Sequence, residues 1–292
     1  MQKITPHLWF NTEAKEAAAL YTSLFKNSRI TSTRVITGTP SGDCDILSFD
    51  LAGQSFMAIS AGPYFKLNPS ISLLVACESN EEVDALWAEL SKDGTVMMEL
   101  GTYPFSPHYG WVEDRFGVSW QIMHMGDRPI TQKITPTLMF TNQVYGKAKE
   151  AVELYTSLFK DSHVNYSMLY EENEGPDRHG TIKHTGFTLN GQEFAAMDSA
   201  YDHKFNFNEA FSFVVHCDTQ EEIDYFWNAL SAVPEAEQCG WLKDRFGVSW
   251  QIIPTLMQEM MSQATPEQME RITQAFLPMK KFDIETLKKA IA

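Results

Sequence analysis

Apolar residues in this chain follow two rhythms, and each rhythm is written twice. After Thr12 they fall at Ala14, Ala17, Ala18, Tyr21, Leu24 and Phe25, the spacing of one buried helical stripe. The same spacing returns at Ala148, Ala151, Val152, Tyr155, Leu158 and Phe159. A second stripe runs through Val83, Leu86, Trp87 and Leu90 and is matched by Ile223, Phe226, Trp227 and Leu230. Ser79 with Glu82, and Thr219 with Glu222, stand where a capping box satisfies free amides at a helix start. Short alternating or apolar runs predict strands over residues 4–10, 30–37, 46–51, 55–60, 70–77, 96–100, 109–113 and 118–123. Turn signals such as Ala52-Gly53 and Phe116-Gly117 separate several of them.

The doubled pattern is a doubled sequence. Gln-Lys-Ile-Thr-Pro at Gln2 recurs at Gln132, and Tyr-Thr-Ser-Leu-Phe-Lys at Tyr21 recurs at Tyr155. Asp-Arg-Phe-Gly-Val-Ser-Trp-Gln-Ile at Asp114 recurs at Asp244, nine consecutive identities that leave no room for chance. The offset between copies is 130 at the start, 134 at Tyr21, 140 at Trp87 and 130 again at Asp114. The second copy therefore carries insertions early and a ten-residue deletion between Ser231 and Gly240.

Each copy reads β-α-β-β-β twice, which makes the fold class α+β: a curved mixed sheet with helices on one face and a cavity on the other. The division that follows is a first domain over residues 1–128, a second over 129–254 and a helical C-terminal extension over 255–292. In that extension Thr265 reads as an N-cap with Pro266 at the first helical position, and Met269, Ile272, Phe276, Leu287 and Ile291 mark two short amphipathic helices. They are expected to pack on one domain or across the pair.

Composition narrows the choice of partner. A formal net charge of −15 repels phosphate backbones and anionic lipid, so neither nucleic acid nor a membrane is expected. With no targeting stretch at the N-terminus and no apolar run near the ~20 residues needed to span a bilayer, the expectation is a cytoplasmic protein. Cys44, Cys77, Cys217 and Cys239 include no close pair and read as reduced thiols. Cys77 and Cys217, inside apolar strands, are expected to be buried.

A doubled unit of this size resembles the vicinal oxygen chelate superfamily, which holds glyoxalase, bleomycin-resistance proteins and extradiol dioxygenases. The nearer likeness is to its PhnB-like branch, often labelled 3-demethylubiquinone-9 3-methyltransferase. The residues that carry it are Ile4-Thr5-Pro6, the helix ends at Tyr21 and Tyr155, Asp84-x-x-Trp87 with Asp224-x-x-Trp227, Cys239-Gly240-Trp241 and the closing nonapeptide. The resemblance implies a tandem glyoxalase-like fold, with an internal pseudo-dimer and a homodimer left open. Methyl transfer is set aside, because the glycines are scattered singly rather than grouped in a strand-to-helix turn.

The resemblance also implies where a divalent ion would sit: on the first, fourth, fifth and eighth strands. Those positions map to Pro6 or His7 and Pro136 or Thr137, then Ser60 and Asp198, Ser72 and Ser212, and Gln121 and Gln251. Only Asp198 and Gln251 suit Mn, Ni or Zn, so a metal is placed in the second copy, with ligands pooled across the two copies left open, and the site is read as degenerate. Aromatic residues Phe10, Tyr64, Phe140 and Tyr201 join these positions as candidate pocket walls. Asp202 and His203, close to Asp198, read either as an acid/base pair or, preferentially, as a polar loop. His179 and His184 flank a solvated hairpin tip, and His216 reads as a hydrogen-bonded strand histidine. The leading functional expectation is a small-molecule-binding protein. Its rivals are a metal-assisted lyase or isomerase in the second domain, and a first copy that has lost its site and serves as a docking partner.

Overall fold

The computed structural model describes residues 2–39 and 42–291, without the side chains of Ser262, Gln263, Pro266 and Ile291. Pro266 opens its helix after the Thr265 cap, as expected, whereas the place of Ile291 in the terminal stripe lies outside the described residues, as do chain ends 1 and 292. The chain forms two compact units. Unit 1 comprises residues 1–66 and 208–292, and unit 2 comprises residues 67–207. The units are not the sequence repeats, because each takes the front half of one copy and the back half of the other.

Unit 1 begins with β1 (Ile4–Phe10), α1 (Ala14–Leu24), β2 (Arg29–Thr39), β3 (Gly42–Leu51) and β4 (Gln54–Ser60). It resumes with β13 (Phe211–Cys217), α4 (Gln220–Leu230), β14 (Trp241–Lys243) and β15 (Ser249–Pro254). Helices α5 (Thr255–Gln263), α6 (Pro266–Phe276) and α7 (Ile284–Ile291) follow. Its seven strands run β14-β15-β13-β1-β4-β3-β2. The two half-copies join where β1 pairs antiparallel with β13, placing His7 opposite Ser212.

Unit 2 holds β5 (Ile71–Cys77), α2 (Asn80–Leu90), β6 (Thr95–Tyr103), β7 (Ser106–Glu113) and β8 (Ser119–His124). These are followed by β9 (Ile134–Phe140), α3 (Ala148–Leu158), β10 (His163–Leu169), β11 (Ile182–Leu189) and β12 (Gln192–Asp198). The eight strands run β10-β11-β12-β9-β5-β8-β7-β6, with β5 antiparallel to β9 at the join.

The α+β class and the doubled β-α-β-β-β units are present as the pattern predicts. Helical stripes lie against the sheets: Ala14, Ala17, Ala18 and Tyr21 of α1 are buried, and so are their counterparts Ala148, Ala151, Val152 and Tyr155. Ser79 and Thr219 cap α2 and α4 by accepting from the amides of Glu82 and Glu222. The nonapeptide is a rigid corner. In each copy the aspartate (Asp114 or Asp244) accepts two backbone amides and the indole Nε1 of the tryptophan six residues on. Arg115 and Arg245 lie over the rings of Phe116 and Phe246. Cys77 and Cys217 are buried, and burial pushes both thiols up to about 12.

The ten-residue deletion has a structural counterpart, since among the described residues unit 1 has no strand matching β6. Beside the shortened β14, the amides of Cys239 and Gly240 donate instead to the carbonyls of Met279 and Lys280, at 2.8 and 2.7 Å. Gly240 has no room for a Cβ, which would lie 2.5 Å from the Phe282 ring. The C-terminal extension thus packs on unit 1. Among the described residues, no helix is long and apolar enough to cross a membrane.

Candidate functional site

Side-chain alternation in unit 1 sorts the strands into two faces. Phe10 and Ser60 are register partners on β1 and β4 and point toward α1. His7 and Met57 are partners on the opposite face. Across that opposite face one row runs Ser32, Ser48, Met57, His7 and Ser212, and the next runs Arg34, Ile46, Ile59 and Trp9. A third joins Thr5, Val214, Gln251 and Trp241. Apart from Ser212, these rows form the wall of a cavity of about 870 Å³, with Met257, Met261, Phe276 and Phe282 of the C-terminal extension among the rest of the lining.

Polar groups in the cavity are few. His7 is 4% exposed, and its Nδ1 is buried without a hydrogen-bond partner. Burial lowers its pKa to about 3, so the imidazole is neutral at physiological pH. Its ring meets the edge of Trp241 at 5.4 Å. Gln251 donates to Ser212 at 3.0 Å. His216 shares a 3.0 Å bond with Thr5, as a strand histidine should, and burial lowers its pKa to about 4. Arg34 reaches Ser32 at 3.1 Å and also donates to the Met261 carbonyl.

Several expected site residues lie elsewhere. Ser60 accepts the amide of Ala14 at the start of α1, and Asp198 does the same for α3. Asp198 is 1% exposed and accepts three backbone amides, from Gly146, Ala148 and Ile182. Burial raises its pKa while these three donors oppose the rise. Its partner in register is Phe140, on the helix-facing side, so both oxygens are committed to holding chain together. Gln251 belongs to unit 1 and Asp198 to unit 2, which separates the expected ligand pair into different compact units.

Tyr64 and Tyr201 are exposed, and Phe140 is buried against Phe207. His203 bonds Ser199 at 2.8 Å, and Asp202 pairs with Lys204, the polar-loop arrangement. Burial lowers the pKa of His203. His184 bonds the hydroxyl of Tyr166 at 3.0 Å. Ser72 and Gln121 form a bond in unit 2 at 2.7 Å, and the Tyr109 hydroxyl donates to Gln121 at 2.8 Å. Of the expected pocket residues, Gln251 lines the cavity and Ser212 holds it. The sequence reading passed over Met57, Trp241 and the C-terminal wall. A signal for the strand face was present in the alternation of Phe56, Ala58 and Ser60, which marks these three as the helix-facing set.

The donor set can be tested against a divalent ion. On the concave face, His7, Ser212, Met57 and Gln251 occupy the first-, fifth-, fourth- and eighth-strand positions. That is one imidazole, one hydroxyl, one thioether and one amide already bonded to the hydroxyl. At these four positions Mn, Ni or Zn would want a second imidazole, a thiolate or a carboxylate; His216, Cys239 and Glu259 also line the cavity, but they do not group with His7 into a set of three, so the residues do not fit such an ion. Among the described residues, no three His, Cys, Asp or Glu side chains group in a way that could hold one.

A profile of the family described as 3-demethylubiquinone-9 3-methyltransferase matches residues 2–123 and again 132–253. The chain belongs to that family. Among solved structures it is similar to the PhnB protein from Bacillus cereus, which carries the same methyltransferase name. The two are 41% identical over 42% of this chain and 99% of that one, with a TM-score of 0.40. It is also similar to protein PA1353 from Pseudomonas aeruginosa, at 23% identity over 44% of this chain and 100% of the other, TM-score 0.37. Glyoxalase I from Zea mays aligns over 90% of this chain and 98% of its own, at 10% identity and a TM-score of 0.52, a likeness of fold. A search of curated proteins finds no match. The family match ends at 253, so the C-terminal wall of the cavity is an addition to the family domain.

Proposed function

We propose that unit 1 binds a small, partly apolar molecule and works as a binding protein. The observation that carries this reading is a cavity of about 870 Å³ with a buried, unpartnered imidazole nitrogen in its wall. That volume is within the ~300–1,000 Å³ common for small-molecule sites, and an apolar wall with a few placed polar groups is their usual make-up. A buried polar atom without a partner costs stability, so a ligand that satisfies it is favoured over an empty site.

The methyl transfer in the family's name finds no support in these residues, since the loop before α1 (Asn11, Thr12, Glu13) carries no glycine-rich turn for a donor nucleotide. A metal-assisted lyase or isomerase would rest on fold likeness alone, because the donors described above do not suit the ion. The test is titration with Nile red, an uncharged apolar fluorescent probe, on the intact chain. One saturable site is expected, with weaker binding in Ile59→Trp, which adds bulk to the cavity wall. Unsaturable binding, or binding that Ile59→Trp leaves intact, would refute the reading.

A further inference from the structure

We infer that the segment from Thr255 to Phe282 is a strap that closes over the unit 1 site, and that it selects an uncharged aromatic molecule whose hydrogen-bonding head meets His7. This rests on the binding reading above and adds the closing element and the ligand class.

The strap is fixed at both ends. It leaves β15 at Pro254, and its far end is held beside β14 by the bonds from Cys239 and Gly240 to Met279 and Lys280. Gln220 adds two more bonds there, donating to the Phe282 carbonyl at 3.1 Å and accepting from the Ile284 amide at 2.9 Å. Lys281 pairs with Asp224 at 2.5 Å. Between these anchors α5 breaks at Ala264, and α6 starts from a capping box at Thr265 and Gln268. At β2 this middle stretch receives the bond from Arg34 to the Met261 carbonyl. Firm ends and a middle divided between two short helices, packed by Met257, Met260 and Ile272 and bonded by Arg34, are the arrangement of a cover that opens as a piece without unfolding.

The inner surface of the strap sets the ligand class. It brings Met257, Met261 and Phe276 to a wall that already holds Trp9, Trp241 and Met57. Thioethers and indoles are polarisable and favour flat aromatic partners over branched aliphatic ones. At His7 a ligand hydroxyl can donate or accept, so it satisfies Nδ1 in either tautomer. An anionic head meets a lining whose one described Lys or Arg is matched by one carboxylate. Arg34 is the sole Lys or Arg among the described lining residues, it is engaged with Ser32 and Met261, and the carboxylate of Glu259 lies in the same lining.

The experiment compares 2-naphthol with 2-naphthoate, one body with an uncharged or an anionic head, on the full chain at neutral pH. Affinity is read by calorimetry and rates by stopped-flow tryptophan quenching. The naphthol is expected to bind about tenfold tighter, the factor for one hydrogen bond to an otherwise unpaired buried group, and His7→Leu should erase the preference. Arg34→Ala, a change on the edge strand, should speed dissociation of the naphthol about fivefold, since loosening a cover acts on the off-rate. Saturating naphthol should also slow amide hydrogen exchange across residues 255–276. Equal affinity for the two probes, or a preference that survives His7→Leu, overturns the ligand class. Unchanged rates in Arg34→Ala together with unchanged exchange overturn the strap. Failure of both probes to bind at millimolar concentration would sink the binding reading and this inference with it. Nile red saturation without head-group preference would remove this inference alone.

Discussion

Units 1 and 2 start from the same repeat and treat their concave faces differently. In unit 2, Tyr166 lies over Gly186, where a Cβ would come within 2.5 Å of its ring, and its hydroxyl bonds His184. The matching row in unit 1 has Ser32 and Ser48, small side chains that leave space. In unit 2 Gln121 is held from both sides by Ser72 and Tyr109. In unit 1 the place of Tyr109 is taken by Cys239, whose left-handed backbone (φ 50°) directs the thiol to the carbonyls of Phe276 and Leu277. Thr137 in unit 2 stands where unit 1 has His7. A cavity in this fold thus arises from subtraction: two aromatic fillers removed, one strand deleted, and a separate segment added as a wall.

The comparison can be broken most forcefully at the helix caps. Asp198→Ala leaves three buried amides without an acceptor and is expected to destabilise unit 2 by about 3–5 kcal/mol in urea unfolding, against about 1 kcal/mol for Ser60→Ala in unit 1. Equal small effects would show that the two caps do the same work. Next in size, the double change Ser32→Tyr with Ser48→Gly copies the Tyr166–Gly186 pair into unit 1. Probe binding should fall at least tenfold with the fold retained by circular dichroism, and undiminished binding would mean the seryl gap is not what makes the cavity.

The acid limb sharpens the contrast at His7. Its folded pKa of about 3 lies below the ordinary imidazole value of 6.5, so between those values the unfolded chain holds a proton that the folded chain does not. Stability present above pH 6.5 is therefore lost as pH falls toward 3, by about 2 kcal/mol at pH 5 from this residue. A His7→Leu variant should show a shallower decline of melting temperature over that window; an identical slope would mean His7 is charged when folded. The smallest effect belongs to Tyr109→Phe, which deprives Gln121 of one donor and should cost about 1 kcal/mol without altering probe binding.

Much of the fold could be read from the chain because local periodicity encodes it. The stripe from Ala14 to Phe25 and the strand alternations placed every helix and strand of copy one within a few residues of where they lie. Periodicity does not name a strand's partner, and nothing in residues 4–10 says that they pair with 211–217 from the other copy. The site suffered from that gap and from a one-residue error of face. Gln251 and Ser212 were found through the nonapeptide and the fifth-strand position. Ser60 and Asp198 were assigned to the cavity although they share the helix-facing side with Phe10 and Phe140. The C-terminal wall was out of reach because its residues become a wall only after β14 has been shortened to three residues.

Unit 2 is one uninterrupted stretch, residues 67–207, whereas unit 1 must bring together residues as far apart as Thr5 and His216, 211 positions away. Near the ends of that stretch Asn68 bonds the Asn206 carbonyl at 3.0 Å, and just outside it Asn208 bonds the Lys66 carbonyl at 2.8 Å. Once residues 67–207 have folded, the chain between Thr5 and His216 that must still be closed shrinks from over 200 residues to the stretches up to Lys66 and from Asn208, a modest saving in loop entropy. The wiring thereby favours one order of assembly.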